Sequence, residues 1–196
     1  MMHLILKTMK KIAVSVIVLL FTIAATVQGQ VSLSKEEKKA LKMEQKKQKE
    51  AALAMTTAEA LRSGTFVLKA DRIRGRGGVI MNVDPTINFV AVQGKEAFVQ
   101  VAPSSGFGMN GLGGVTLRGK ITSIDIDQAK KHGSYNIFIN TLGTAGNLTI
   151  MMNVNKTGQM ASASVKTNWG SWVELNGYLV PWTGAGTKIH KGRETF

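Results

Sequence analysis

The chain has 196 residues, with 25 Lys and Arg against 12 Asp and Glu, for a net charge of +13, and it contains no cysteine. The missing thiol excludes disulfides, thiolate metal sites, a cysteine nucleophile and a lipidated cysteine. So basic a balance favours anionic surfaces as partners, or simply keeps the protein soluble where the charge is spread.

The chain begins with a basic stretch, Lys7, Lys10 and Lys11, and then an apolar run of sixteen residues from Ile12 to Val27. Val27 and Gly29 are small or modest residues three before and one before a cut after Gly29. This is the layout of a secretory signal, and the run is shorter than the roughly 20 residues of a spanning helix. The expectation is a signal peptide over 1–29 and an exported protein, periplasmic, envelope-bound or secreted. A mature chain of 167 residues then suits one domain. The signal holds three of the positive charges, so the mature chain is +10, of which +3 lies in residues 31–64.

Residues 34 to about 62 read as helix. Ser34 and Glu37 form the capping box S-x-x-E. The stretch KEEKKALKMEQKKQKE is almost wholly charged or amide, which predicts a solvated charged lead over 30–56. Further on, Ala54, Ala58 and Leu61, with Ala51 behind them, form one apolar stripe, and Gly64 ends the helix.

Beyond Gly64 the period changes from 3.6 to 2. TFVLKADRI sets Phe66, Leu68 and Ala70 on one face, and TINFVAV does the same for Ile87, Phe89 and Ala91. EAFVQVA, GVTLRGKI, TSIDID, SYNIFINTL, NLTIMMNVN, MASASVKTN and SWVELNGYLV continue the series. Hairpin signals stand at Gly94-Lys95, His132-Gly133, Gly146-Asn147 and Asn155 to Gly158. About eight or nine successive strands with no helix between them imply an antiparallel up-and-down meander, curled into a small barrel or bent sheet over 57–182. Residues 183–196 read as a loose basic tail.

The catalytic motifs are incomplete. Gly106, Gly108 and Gly111 match G-x-G-x-x-G, but a strand follows them where a dinucleotide site needs a helix. GVTLRGK from Gly114 to Lys120 is followed by Ile121 and not by the Ser or Thr of a phosphate loop. Arg72, Arg74 and Arg76 read as a basic loop at the barrel rim. Asp125 and Asp127 share one strand face and could do acid–base work, but with Ile124 and Ile126 inward they face water. His132 and His190 have no metal spacing, and no G-x-S-x-G elbow occurs. No catalytic residue, metal or cofactor is therefore expected.

The candidate contact residues are Phe107, Met109 and Asn110 in the glycine loop, and the late aromatics Trp169, Trp172, Tyr178 and Trp182. In a small barrel such aromatics are core or a ligand wall. The terminal Phe196 brings to mind a membrane barrel, but TKIHKGRETF lacks the alternating apolar face that a last strand needs.

Taken together, FVLKADR, PTINFVAVQGKEAFVQVAPSSGFGMNGLGGVTLRGKITSIDI, YNIFIN, LTIMMNVNKTGQMASASV and NGYLVPW resemble the Bacteroidota family called domain of unknown function 4251. The resemblance runs from about Thr57 to Trp182, and the chain departs from it at VAPSSGFG, where many members have an LPYFG-type stretch. It implies an exported protein of antiparallel, lipocalin-like β fold, and it implies neither an activity nor catalytic residues. The reading for function is a non-enzymatic binding or structural module for a small apolar ligand or an envelope protein or polymer. Peripheral contact with an anionic membrane or polysaccharide is expected, and nucleic acid is not. The alternatives are a secreted hydrolase with a site invisible in sequence and an integral outer-membrane barrel.

Overall fold

The computed structural model describes residues 34–75, 77–103, 109–143, 146–168, 170–183 and 187–195. The expected signal peptide, Arg76, Gly106, Phe107, Gly108, Trp169 and Phe196 lie outside them. The chain divides into two units, Met1–Gln45 and Lys46–Phe196.

In the first unit, helix α1 (Lys35–Arg62) opens on the expected box. The Ser34 N–H donates to Glu37 Oε2 at 2.8 Å, and the Glu37 N–H donates to Ser34 Oγ at 3.2 Å. Residues 34–45 are exposed throughout, as their near absence of apolar side chains requires.

The second unit holds the rest of α1 and nine antiparallel strands. They are β1 (Thr65–Gly75), β2 (Ile80–Asn82), β3 (Phe89–Gln93), β4 (Glu96–Val101), β5 (Val115–Gln128), β6 (Tyr135–Gly143), β7 (Gly146–Val154), β8 (Ala161–Thr167) and β9 (Trp172–Pro181). Their order is β2-β1-β3-β4-β5-β6-β7-β8-β9, and β1 also pairs with β9. Eight strands therefore close into a barrel, and β2 is an extra strand that continues the β3 side of β1 past Asp71. The barrel interior is one apolar cluster, with Phe66, Leu68, Ile139, Leu148, Ile150 and Leu175 among its fully buried members. Alternation put these side chains inside. The end of α1 seals one mouth of the barrel with Thr57, Ala60 and Leu61. Ala51, expected behind this stripe, is exposed.

Strand β3 corrects the reading of its faces. Val90 and Val92 point into the interior, while Phe89 and Ala91 join Val67 and Phe98 in a second cluster on the outside. Both faces of FVAV are buried because the C-terminal residues cover the outer one. Residues 187–195, expected to be loose, are tied down along it. The His190 N–H donates to Thr86 O at 2.8 Å, the Arg193 N–H to Asn110 O at 2.9 Å and the Thr195 N–H to Thr116 O at 3.0 Å. Gln100, wholly buried, is the hub of this strap. Its Nε2 donates to Ile87 O and His190 O, and its Oε1 accepts from the Gly192 N–H and Thr116 Oγ1. A buried amide this fully bonded can hold an otherwise irregular segment in place.

On the outer face of β5 to β9, register aligns two rows. One runs Asp125, Phe138, Met151, Ser164, Glu174, and the other runs Asp127, Asn136, Asn153, Ser162, Asn176. With the apolar side inward and these rows outward, the arrangement is the inverse of a membrane barrel.

Candidate functional site

At the end of the barrel away from α1, near the β1 terminus where Gly75 pairs with Val173, lies a cleft of about 360 Å³. Val99, Val101, Leu117, Val165 and Val173 form its wall, all from inward positions of β4, β5, β8 and β9. Alternation makes them core, and Val99 and Val165 are buried, but Val101, Leu117 and Val173 stay partly exposed at an end that no described helix covers. Met109, 61% exposed, and Val115, 36% exposed, stand at its rim. Thr167, Ser171 and Trp172 complete the other side. The Trp172 ring is fixed at the outer edge of this rim, where its Nε1–H donates to Ser164 Oγ at 2.8 Å and the Arg74 guanidinium lies 5.6 Å from the ring. Arg74 in turn is held by Glu174, with Arg74 Nε donating to Glu174 Oε2 at 3.0 Å. This hydrogen bond, against the opposing effect of burial, holds the Glu174 carboxyl below its ordinary value of 4.5.

Two of the candidate residues, Met109 and Trp172, thus meet at this mouth. Asn110 has a different task. It is buried, its Oδ1 accepts from the Leu112 and Gly114 N–H groups, and its Nδ2 donates to Thr116 Oγ1. It shapes the glycine loop and offers no free polar atom to a ligand. That loop needs its glycines for backbone reasons: Gly111 and Gly113 have φ of 77° and 87°. Tyr178 and Trp182 are on the outside of the barrel. Tyr178 lines a shallow depression with Lys69, and Trp182 packs edge-on to Phe98 at 6.0 Å between centroids. Phe107 and Trp169 lie outside the described residues. Among the described residues, Trp172, Tyr178 and Trp182 therefore do not form one pocket. The five aliphatic wall residues are the part of the site that sequence reading did not separate from core.

Asp125 and Asp127 are exposed on the outer face, as expected, and line a second cleft of about 480 Å³ with Phe138, Met151 and Glu174. Ile124 and Ile126 do share the inner face with Ile139 and Ile137 across β6, but they remain 41% and 36% exposed. Among the described residues no group of three or more His, Asp or Glu is placed to hold a metal ion. Asp84 accepts from the N–H and Oγ1 of Thr86 at 2.8 and 2.7 Å, which lowers its pKa and closes the turn before β3.

A family model described as "Domain of unknown function (DUF4251)" matches residues 44–179. The crystal structure of a DUF4251 family protein from Bacteroides eggerthii is similar, with a TM-score of 0.58 and 27% identity. The match covers 71% of this chain and 94% of that one. None of the curated proteins matches the chain.

Proposed function

This chain belongs to the DUF4251 family, and from that premise and its closed barrel we propose that it is a non-enzymatic binding module which takes a small apolar ligand at the open mouth. The observation that carries this reading is the cleft walled by Val99, Val101, Leu117, Val165 and Val173, at the end of the barrel opposite the helix. An aliphatic wall that opens to solvent, with a few polar groups at its rim, is the usual make-up of a small-molecule site. Met109, on a glycine-jointed loop, would close over the ligand beside Trp172 at the rim.

The proposal puts the protein in the bacterial envelope. The basic start at Lys7, Lys10 and Lys11, the apolar run Ile12–Val27 and the small Gly29 support export. The N-terminus of the mature protein is then Gln30, which intact mass reads directly.

Titration of the purified protein with a fluorescent long-chain fatty acid tests the site. Saturable one-to-one binding is expected. Val173→Asp, which sets a charge in the aliphatic wall, is expected to weaken it by about tenfold or more with the β-sheet circular dichroism retained. Trp172→Ala keeps the test open if the first variant unfolds. Binding that neither variant changes would refute the site.

A further inference from the structure

The 14 residues of β5 are far longer than its partner β4. Strand β4 pairs only with Val115–Lys120, and the last bond on that side is from the Ile121 N–H to Lys95 O at 2.8 Å. A bulge then falls between Ile121 and Ser123. From there to Gln128 β5 pairs with β6 alone among the described residues, and residues 122–128 are all exposed. This is an open strand edge, with a row of backbone donors and acceptors lacking a ladder.

The two faces of the edge are chemically distinct. Ile124 and Ile126 lie on the inner face, part-exposed because the neighbouring strand that would cover them is missing. Asp125 and Asp127 lie on the outer face. They open onto the cleft over β5 to β9, whose charged lining residues, Asp125, Asp127 and the Arg74-paired Glu174, are all acidic in a chain of net charge +13.

We propose that this edge docks an extended peptide of alternating apolar and basic residues, which adds as a strand beside Thr122–Gln128. The main-chain ladder would supply the affinity. Apolar side chains would cover Ile124 and Ile126, and Lys or Arg side chains would stand opposite Asp125 and Asp127. A second copy of the chain is a poorer match. The fullest antiparallel overlap of two such edges sets Asp125 against Asp125, and of the two next registers that keep the faces aligned one sets Asp125 against Asp127 while the other gives neither aspartate a basic partner. Like charges directly opposite oppose pairing. Lys120 and Lys130 bracket the edge, which confines a basic strand to the residues between them. The site is independent of the barrel mouth and of any apolar ligand there.

The test uses the purified protein and three labelled seven-residue peptides, alternating Lys-Val, Glu-Val and Lys-Pro. The Lys-Val peptide is expected to bind in low salt and to slow amide exchange in residues 122–128. The Glu-Val peptide is expected not to bind, nor is the Lys-Pro peptide, whose prolines cannot donate to the ladder. D125N/D127N is expected to weaken the Lys-Val peptide by roughly tenfold, and D125K/D127K to transfer the preference to Glu-Val. The proposal is overturned by no Lys-Val binding at low salt, by equal binding of Lys-Pro, by indifference to D125N/D127N, or by exchange protection elsewhere than 122–128.

Discussion

Single residues in this barrel carry steric and polar demands that the sequence pattern does not display. Gly177 reads as a weak point in β9, yet a Cβ there would sit 1.9 Å from Lys69 O. The glycine lets β1 and β9 approach beside the bulge at Ala70/Arg72 that completes the closure. Gly177→Ala is accordingly expected to cost at least about 1–3 kcal/mol, read as a lower urea midpoint with an unchanged slope. Thr141 has the opposite fault. It is 2% exposed, its Oγ1 has no hydrogen-bond partner, and Gly119 makes room for it on the neighbouring strand. Thr141→Val keeps the shape and removes the orphaned hydroxyl, so it is expected to stabilise the fold by about 1 kcal/mol in the same assay. Glu174 gives a pH signature. Its folded pKa is depressed by Arg74, so its contribution is complete above 4.5, the ordinary value. It is lost as the pH falls through the depressed folded value. Thermal melts from pH 7 down to 3 are expected to show a shallower acid decline in Glu174→Gln than in the parent.

Elements were legible where one periodicity decided them. The capping box placed the start of α1, and alternation put Leu148, Ile150, Met152 and Val154 inside on β7. Strand β2 was missed because Ile80–Asn82 is too short to show alternation, and all three residues are exposed. The faces of β3 were misread because FVAV is apolar on both sides. Period 2 cannot choose between two buried faces. What covers the outer face is a segment of mixed, mostly polar sequence, held by backbone bonds that composition does not announce. The strap makes a prediction of its own. Removing the chain from Thr187 onward would uncover Phe89, Phe98 and the Gln100 amide. At about 1 kcal/mol for each lost hydrogen bond, the melting temperature is expected to fall by roughly 10 °C. Equal melting temperatures would show that the strap contributes nothing to the fold.

At the scale of the whole molecule, the count and order of strands implied a meander, and closure followed from the need to hide its edges. Two consequences of closure were beyond reach of a linear reading. Closure brings β1 to β9 and so puts Val173 opposite Val99 and Leu117 across one mouth, which makes a wall out of residues that alternation labels as core. Unequal strand lengths leave the end of β5 paired on one side only among the described residues, so Ile124 and Ile126 are exposed though they face inward. Both candidate binding surfaces thus arise from how strands end, and neither from a motif. The aromatics and glycines that looked most functional are divided between a rim, an outer cluster and a loop scaffold.

If the barrel is a binding module, its mouth holds an apolar molecule. Native mass spectrometry of the protein purified from its native cells, paired with solvent extraction of the same sample, is the direct test. The expected result is a bound mass above that of the chain alone, matched by an apolar compound in the extract and absent from Val173→Asp. A clean mass of the bare chain, with the same empty extract from parent and variant, would contradict it.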